Sequence, residues 1–175
     1  MRILVIEGSP HRNGSSNFIA SRFIEGAEEA GHTVEVFDAG HADIHPCMGC
    51  ARCPVSGSCR FDDDSKELNR MLLDCDMVVF VTPIYYFGMS AQVKAAIDRF
   101  YSVNSSIGSK KAALITAAYD SGDEVMGATV SHYRAICRYL GFDDLGMVLG
   151  HGCGTVGMTE SSRYLQDAYN FGKGI

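Results

Sequence analysis

The apolar residues of this chain fall into short continuous runs separated by longer amphipathic segments, and that alternation limits the possible folds more than any other feature. "RILVIEG" (2–8), "TVEVFD" (33–38), "MVVFVTP" (77–83), "KAALITAA" (111–118) and "LGMVLGHG" (145–152) have the length and composition of strands. Between them lie segments of helical spacing: 16–31, where Phe18, Ile19, Phe23, Ile24 and Ala27 share one face, then 64–75, 90–102, 124–141 and 159–172. Asp64 has the position of an N-cap with Glu67 three residues on, and Gly141 closes the fourth helix. Strands joined through crossover helices run parallel, so five such units predict an α/β fold with a five-stranded parallel sheet covered on both faces. One domain over 1–175 suffices, because a chain of 175 residues buries a sizeable core without disulfide or metal staples. No internal repeat, low-complexity tract or linker divides it.

Charge and hydropathy remove several function classes. A formal net charge of −6 is a poor match for a phosphate backbone, so no nucleic-acid partner is expected. The apolar run Ile3–Ile6 follows Met1 and the single basic residue Arg2, with no longer basic stretch or small-residue cleavage site, and no apolar run is long enough for a bilayer. The expectation is a cytoplasmic protein with no membrane contact. Thiols stay reduced in that compartment, so clustered cysteines point to metal or redox chemistry rather than disulfides.

In an open parallel sheet, ligands bind beyond the carboxyl ends of the strands, which directs attention to the loops there. "GSPHRNGSSN" (8–17) joins the first strand to the first helix: its glycines permit tight turns, and its Ser and Asn side chains stand beside free helical N–H groups. That chemistry suits a phosphate monoester, and an ordinary capped connection explains it equally well. The stretch is neither G-x-x-x-x-G-K-[ST] nor G-x-G-x-x-G. "TPIYYFGMSAQVKAAIDRF" (82–100) places Tyr85, Tyr86 and Phe87 at the end of a buried strand, where they can receive a planar ring or plug the top of the sheet or a subunit interface.

These two segments, with a cysteine-rich loop between them, closely resemble the flavodoxin-like NAD(P)H-dependent FMN reductases and their relatives, the iron-sulfur flavoproteins. The resemblance is strongest over residues 1–100. It implies a flavodoxin-like three-layer sandwich with strand order 2-1-3-4-5, FMN as cofactor, NADH or NADPH as reductant, and a homodimer or homotetramer with flavin near the subunit interface. On its terms Ser9, His11, Ser15, Ser16 and Asn17 hold the FMN phosphate, while Pro83, Ile84, Tyr85, Tyr86, Phe87 and Gly88 line the isoalloxazine ring. "AAYDSGDE" (117–124) occupies the place of a third flavin contact through Tyr119, in a less glycine-rich form than many relatives carry. Relatives often have Lys or Arg at position 11; here it is His, and the neighbouring Arg12 is the alternative source of charge. No catalytic side chain is expected, because the flavin itself carries the electrons.

Cys47, Cys50, Cys53 and Cys59 follow C-x2-C-x2-C-x5-C, a spacing that lets one loop wrap a [4Fe-4S] cube with a thiolate on each iron. Structural zinc more often draws on two separated pairs. The segment resembles the cluster loop of iron-sulfur flavoproteins, yet plain FMN reductases of the same group keep a similar cysteine loop without a cluster. A C-x-x-C redox pair of Cys50 and Cys53 is a further reading, without an evident helix N-terminus to activate it. His41 and His45 read as exposed loop residues, and Cys75, Cys137 and Cys153 as isolated core or loop residues. "GCGTVG" (152–157) matches a dinucleotide fingerprint literally but follows the last strand, so a glycine-rich turn is expected. Asp98 and Arg99 are expected to form ion pairs or hold a neighbouring loop; "DDD" (62–64) could invite a divalent cation, but helix capping and solvation explain it more cheaply.

Three functional readings follow. The first is an FMN-dependent oxidoreductase passing electrons from NAD(P)H to a small acceptor such as a quinone or free flavin. The second is an iron-sulfur flavoprotein carrying electrons between a [4Fe-4S] cluster and FMN, with a ferredoxin-type donor. The third is a non-enzymatic metal-binding or flavin-sensing module.

Overall fold

A computed structural model describes residues 1–56 and 58–175; Gly57, inside the cysteine-rich segment, lies outside the described residues. The elements in chain order are β1 (Arg2–Glu7), α1 (Ser15–Glu29), β2 (Thr33–Asp38), α2 (Cys53–Ser56), α3 (Ser65–Asp74), β3 (Met77–Tyr85), β4 (Gly88–Met89), α4 (Ala91–Arg99), β5 (Lys111–Ala117), α5 (Gly127–Leu140), β6 (Asp143–Gly150), α6 (Val156–Glu160) and α7 (Tyr164–Lys173). The five long strands pair in the order β2-β1-β3-β5-β6, all parallel, which is the expected 2-1-3-4-5 order. The added β4 is a two-residue strand antiparallel to the end of β3, a hairpin that the apolar pattern does not announce because it is too short to show a period.

Alternation along the central strands sends side chains to two separate cores. Leu4, Ile6, Val78, Phe80, Ala112 and Leu114 face one side, where α3, α4 and α5 contribute Leu68, Leu72, Ala96 and Tyr133. Ile3, Val5, Met77, Val79, Val81, Ala113 and Ile115 face the other, against Ile19, Phe23 and Ala27 of α1 and Ala168 of α7. Two buried faces explain why these strands read as unbroken apolar runs. Helices α1 and α7 cross closely at Gly26 and Gly172: a Cβ on Gly26 would lie 2.1 Å from the Tyr169 carbonyl oxygen, and one on Gly172 2.0 Å from that of Phe23.

Several local expectations need correction. The helix expected over 90–102 ends at Arg99 and tightens into a 3₁₀ turn over Phe100–Ser106. The closing helix expected over 159–172 is two helices, α6 and α7, because the chain turns between Glu160 and Tyr164. Asp64 does not cap α3 through its side chain; its carboxylate accepts the Asp43 N–H at 2.7 Å instead. Asp63 takes that role, accepting the Ser65 N–H at 3.2 Å and the Ser65 hydroxyl at 2.7 Å. Gly141 does close α5, with φ of +69°. Among the described residues no helix is long and apolar enough to cross a membrane.

Candidate functional site: a cleft at the carboxyl edge of the sheet

The loop after β1 is shaped by its own small residues. Ser9 Oγ donates to the His11 carbonyl at 3.1 Å and accepts the His11 N–H at 3.2 Å, and the Gly14 N–H donates to the same carbonyl at 2.8 Å. A Cβ on Gly14 would lie 2.8 Å from Ser9 Oγ, so glycine lets the turn close. Gly8 is as constrained: a Cβ there would lie 1.9 Å from a Val93 methyl, and its carbonyl accepts the buried Ser90 hydroxyl at 2.7 Å. Ser90 also caps α4 through the Val93 N–H and donates its own N–H to Thr82 Oγ1, tying the ends of β1, β3 and α4 together. Helix α1 then opens without any side-chain cap and without an acidic residue in its first turn. Its leading N–H groups are left for a ligand, and the helix dipole favours an anion there.

Ser9, His11, Asn13, Gly14, Ser15 and Ser16 line one end of a cleft of about 500 Å³. Pro83, Ile84 and Tyr85 from the end of β3, with Ala117 at the end of β5 and Tyr119 after it, line the rest. Asn17 is placed differently from its expected role: its amide donates to Glu7 Oε2 at 3.1 Å and to the Arg12 carbonyl at 3.3 Å, bracing the loop from behind. Arg12 likewise does not supply charge to the cleft, because its guanidinium is engaged with Asp38 at 2.6 Å. Among the described residues no carboxylate and no Lys or Arg lines the cleft.

Tyr86, Phe87 and Gly88 lie outside the cleft, at the tip of the β3–β4 hairpin. Tyr86 (φ +48°) and Phe87 (φ +64°) both occupy left-handed backbone, as the two central residues of a tight hairpin require. Bulky residues in that conformation each cost on the order of 1–2 kcal/mol. The tip is held by Thr129 of α5, whose hydroxyl donates to the Phe87 carbonyl at 3.0 Å, while the Tyr86 side chain is fully exposed.

The segment after β6 was missed as a site by sequence reasoning. Cys153, Gly154, Thr155 and Val156, from the turn "GCGTVG", form the far wall of the same cleft. Backbone bonds fasten this turn to the loop after β5: the Gly152 N–H donates to the Asp120 carbonyl at 3.1 Å and the Cys153 N–H to the Ala118 carbonyl at 2.7 Å. A Cβ on Gly154 would lie 2.2 Å from the Tyr119 ring, so the glycine permits that approach. The available signal was the glycine density itself, which marks close backbone contact as well as a turn.

A second cavity, of about 140 Å³, is lined by Cys47, Cys50, Cys53 and Cys59 with Arg60, Phe61 and Tyr101. All four thiols are free. Burial raises the pKa of Cys53, and the neighbouring Cys59, Cys47 and Cys50 raise it further, so the thiols feel one another. Cys53 begins the one-turn α2, yet its thiol is pushed toward the neutral form, which counts against an activated redox pair with Cys50. Among the described residues no three of these side chains gather tightly enough to ligate a single ion. His45 stacks on Phe61 at 4.7 Å and His41 bonds Asp38, so neither histidine lines the cavity.

Arg99 accounts for the shape of this loop. Its side chain is 1% exposed and pairs with the equally buried Asp63 at 2.7 Å. The same guanidinium donates to the His45 carbonyl at 2.7 Å and to Cys59 Sγ at 3.2 Å. Burial alone would raise the Asp63 pKa, but hydrogen bonds from Arg99, Ser65 and the His45 N–H outweigh it and hold the carboxyl well below its ordinary range. Asp98 instead pairs with Lys94 one turn earlier.

Behind the first loop, burial and the nearby Asp38 push the pKa of Glu7 from 4.5 up to about 7. The sign follows from the raised folded value: the neutral acid is favoured below pH 4.5, and stability is lost as pH rises through 7. A shift of this size is worth about 3 kcal/mol for a fully desolvated group, reduced to about 1 kcal/mol for this partly exposed side chain. Glu7→Gln is expected to match the parent protein at pH 5 and to exceed its stability by about 1 kcal/mol at pH 8. Urea unfolding at the two pH values checks this, and an equal effect at both would exclude Glu7 as the source.

Residues 1–151 match the family profile described as NADPH-dependent FMN reductase. A Bacillus subtilis protein named as an NAD(P)H-dependent FMN-containing oxidoreductase is 27% identical over 166 residues, covering 87% of this chain and 86% of that protein. An iron-sulfur flavoprotein of Methanocaldococcus jannaschii is 29% identical over 99 residues, covering 57% of this chain and 51% of that protein. The chain spans about half the length of this protein and of two iron-sulfur flavoproteins of Archaeoglobus fulgidus that it also matches. Among solved structures, an NAD(P)H:quinone oxidoreductase from Methanothermobacter marburgensis superposes with a TM-score of 0.76 at 20% identity, covering 99% of this chain and 96% of that one. That likeness establishes the flavodoxin-like fold.

Proposed function

From the premise that this chain belongs to the NADPH-dependent FMN reductase family, we propose that it binds FMN in the cleft beyond β1, β3 and β5 and passes electrons from NADH or NADPH to a small acceptor. The observation that carries this reading is the pairing of an uncapped, serine-lined start of α1 with an aromatic strand end across one cleft. Bound flavin supplies the electron chemistry, taking up a hydride and releasing electrons singly or in pairs.

The residues of the chain bind and orient. Ser9, His11, Ser15 and Ser16, with the leading N–H groups of α1, hold the phosphate, and Asn17 keeps that loop in place through Glu7 and the Arg12 carbonyl. The phosphate charge is met by peptide dipoles and hydroxyls, since Arg12 is committed to Asp38. Pro83, Ile84 and Tyr85 lie along the ring, with Tyr119 and the Cys153–Val156 wall opposite. Tyr86, Phe87 and Gly88, outside the cleft, are assigned to the subunit contact of a homodimer or homotetramer, where their exposed rings find cover.

A quinone or free flavin fits the acceptor role, because an open cleft lined, among the described residues, by no carboxylate, Lys or Arg admits a flat neutral ring. The test is NAD(P)H oxidation by the FMN-loaded protein with and without a quinone. Turnover that depends on both FMN and quinone is the expected result. Flavin binding without pyridine-nucleotide oxidation would replace the enzyme reading with a sensing or carrier role.

A second reading adds a [4Fe-4S] cluster at the cysteine cavity, favoured by one observation: four thiols line one small cavity and a buried cation touches Cys59. An ion with metal–sulfur bonds of about 2.3 Å needs thiolates about 3.8 Å apart. A cube with one thiolate per iron accepts the wider spread of a shared cavity. When bound, the cluster supplies one-electron steps, and a ferredoxin-type protein would be its donor.

A further inference from the structure

We infer that Arg99 is a positioning residue for this thiolate cavity: through one N–H···S hydrogen bond to Cys59 it fixes that ligand and sets the reduction potential of a cluster held there. This inference rests on the cluster reading above. Arg99 lies at the end of α4, remote from the cysteine loop in sequence, and is the largest fully buried side chain of the molecule. A guanidinium at 1% exposure is costly unless each donor is used, and its partners here share one geometry. Nη1 reaches Asp63 at 2.7 Å and the His45 carbonyl at 2.7 Å; Nη2 reaches Asp63 at 3.1 Å and Cys59 Sγ at 3.2 Å. The Phe61 ring, 5.2 Å from the guanidinium carbon, covers a face and also lines the cavity.

An ion pair between Arg99 and Asp63 would be complete without Cys59. The fourth donor turned on a sulfur brings a buried positive charge to one of the four thiolates and leaves the other three to the loop. Hydrogen bonds and positive charge at a cluster thiolate stabilise the more negative, reduced state and thus raise the potential. Arg99 touches no substrate and no iron; it acts through Cys59.

The test compares the parent protein with the double variant Asp63→Asn and Arg99→Gln, which keeps a buried polar pair but removes the charge and the fork. Both are reconstituted anaerobically with iron and sulfide, assayed for content, checked for folding by circular dichroism, and titrated for potential. The expected result is about four iron and four sulfide on the parent, with either cluster loss from a folded variant or a potential at least tenfold more resistant to reduction, which is 59 mV for one electron. A full cluster at a potential within threefold of the parent overturns the role of Arg99 and leaves the cluster reading intact. A parent protein that takes up neither iron nor sulfide overturns both. Where the variant fails to fold, pulsed EPR decides on the reduced protein carrying Arg52→Lys and Arg60→Lys and labelled with guanidino-¹⁵N-arginine: a nitrogen coupling to the cluster supports the contact with Arg99, and its absence overturns it.

Discussion

Ser15→Asp is expected to abolish tight FMN binding while leaving riboflavin binding and the fold almost unchanged. Ser15 begins α1 and lines the cleft end assigned to the phosphate, where the helix is uncapped and its first turn holds no acidic residue. A carboxylate there improves the isolated helix by about 0.3–1 kcal/mol, because it faces the positive end of the dipole. It also occupies the anion site with a charge of the same sign as the phosphate. Like charges brought together in such a site cost several kcal/mol, so FMN affinity should fall by about two orders of magnitude or more, roughly 3 kcal/mol. Riboflavin has the ring without the phosphate and avoids that repulsion. Fluorescence titration with the two ligands reads the difference directly. Equal losses for both would show that the substitution damaged the cleft as a whole, and no loss for FMN would move the phosphate elsewhere.

Arg99→Met is expected to cost about 3–5 kcal/mol of stability, the penalty for leaving a buried carboxylate without its cation. Asp63 is 1% exposed and is held below the ordinary carboxylate range by this contact among others, so it stays ionised and unpaired in the variant at neutral pH. Removing the charge as well, in Arg99→Met with Asp63→Leu, should restore about half of the loss. Restoration stays partial because Ser65, the His45 N–H and the His45 carbonyl lose their partners. The depressed Asp63 pKa adds a pH signature: its stabilisation is complete above the ordinary value of 3.8 and disappears only as pH falls well below it. Urea denaturation at pH 7 of the parent, Arg99→Met, Asp63→Leu and the double variant measures the coupling. Additive losses for the two single changes would mean that the pair contributes nothing jointly.

The two cores and the parallel order were legible because β1, β3 and β5 are buried on both faces, and a strand covered twice carries an uninterrupted apolar run. The serine-rich loop and the aromatic strand end were legible for a different reason: each places unusual local chemistry at a strand terminus, where this topology must bind. The β4 hairpin was not, since two residues cannot display a period, and "Tyr-Tyr-Phe-Gly" lacks the Asn-Gly that normally announces left-handed turns. The split of the closing helix into α6 and α7 was likewise hidden, because the helical spacing continues across the break.

The sequence by itself determined the alternation of elements, and hence the sheet and the end of it that binds; it also determined the residue types at the first loop, the aromatic tip and the cysteine spacing. Only the tertiary structure decided which of those residues meet. It turned Arg12 and Asn17 away from the cleft, brought Gly154 against Tyr119 to close the far wall, and set Arg99 beneath a cysteine 40 positions earlier. The physical reason is that local pattern fixes how a segment is wound and which face it buries, whereas hydrogen bonds and ion pairs between distant segments depend on packing distances that no periodicity encodes.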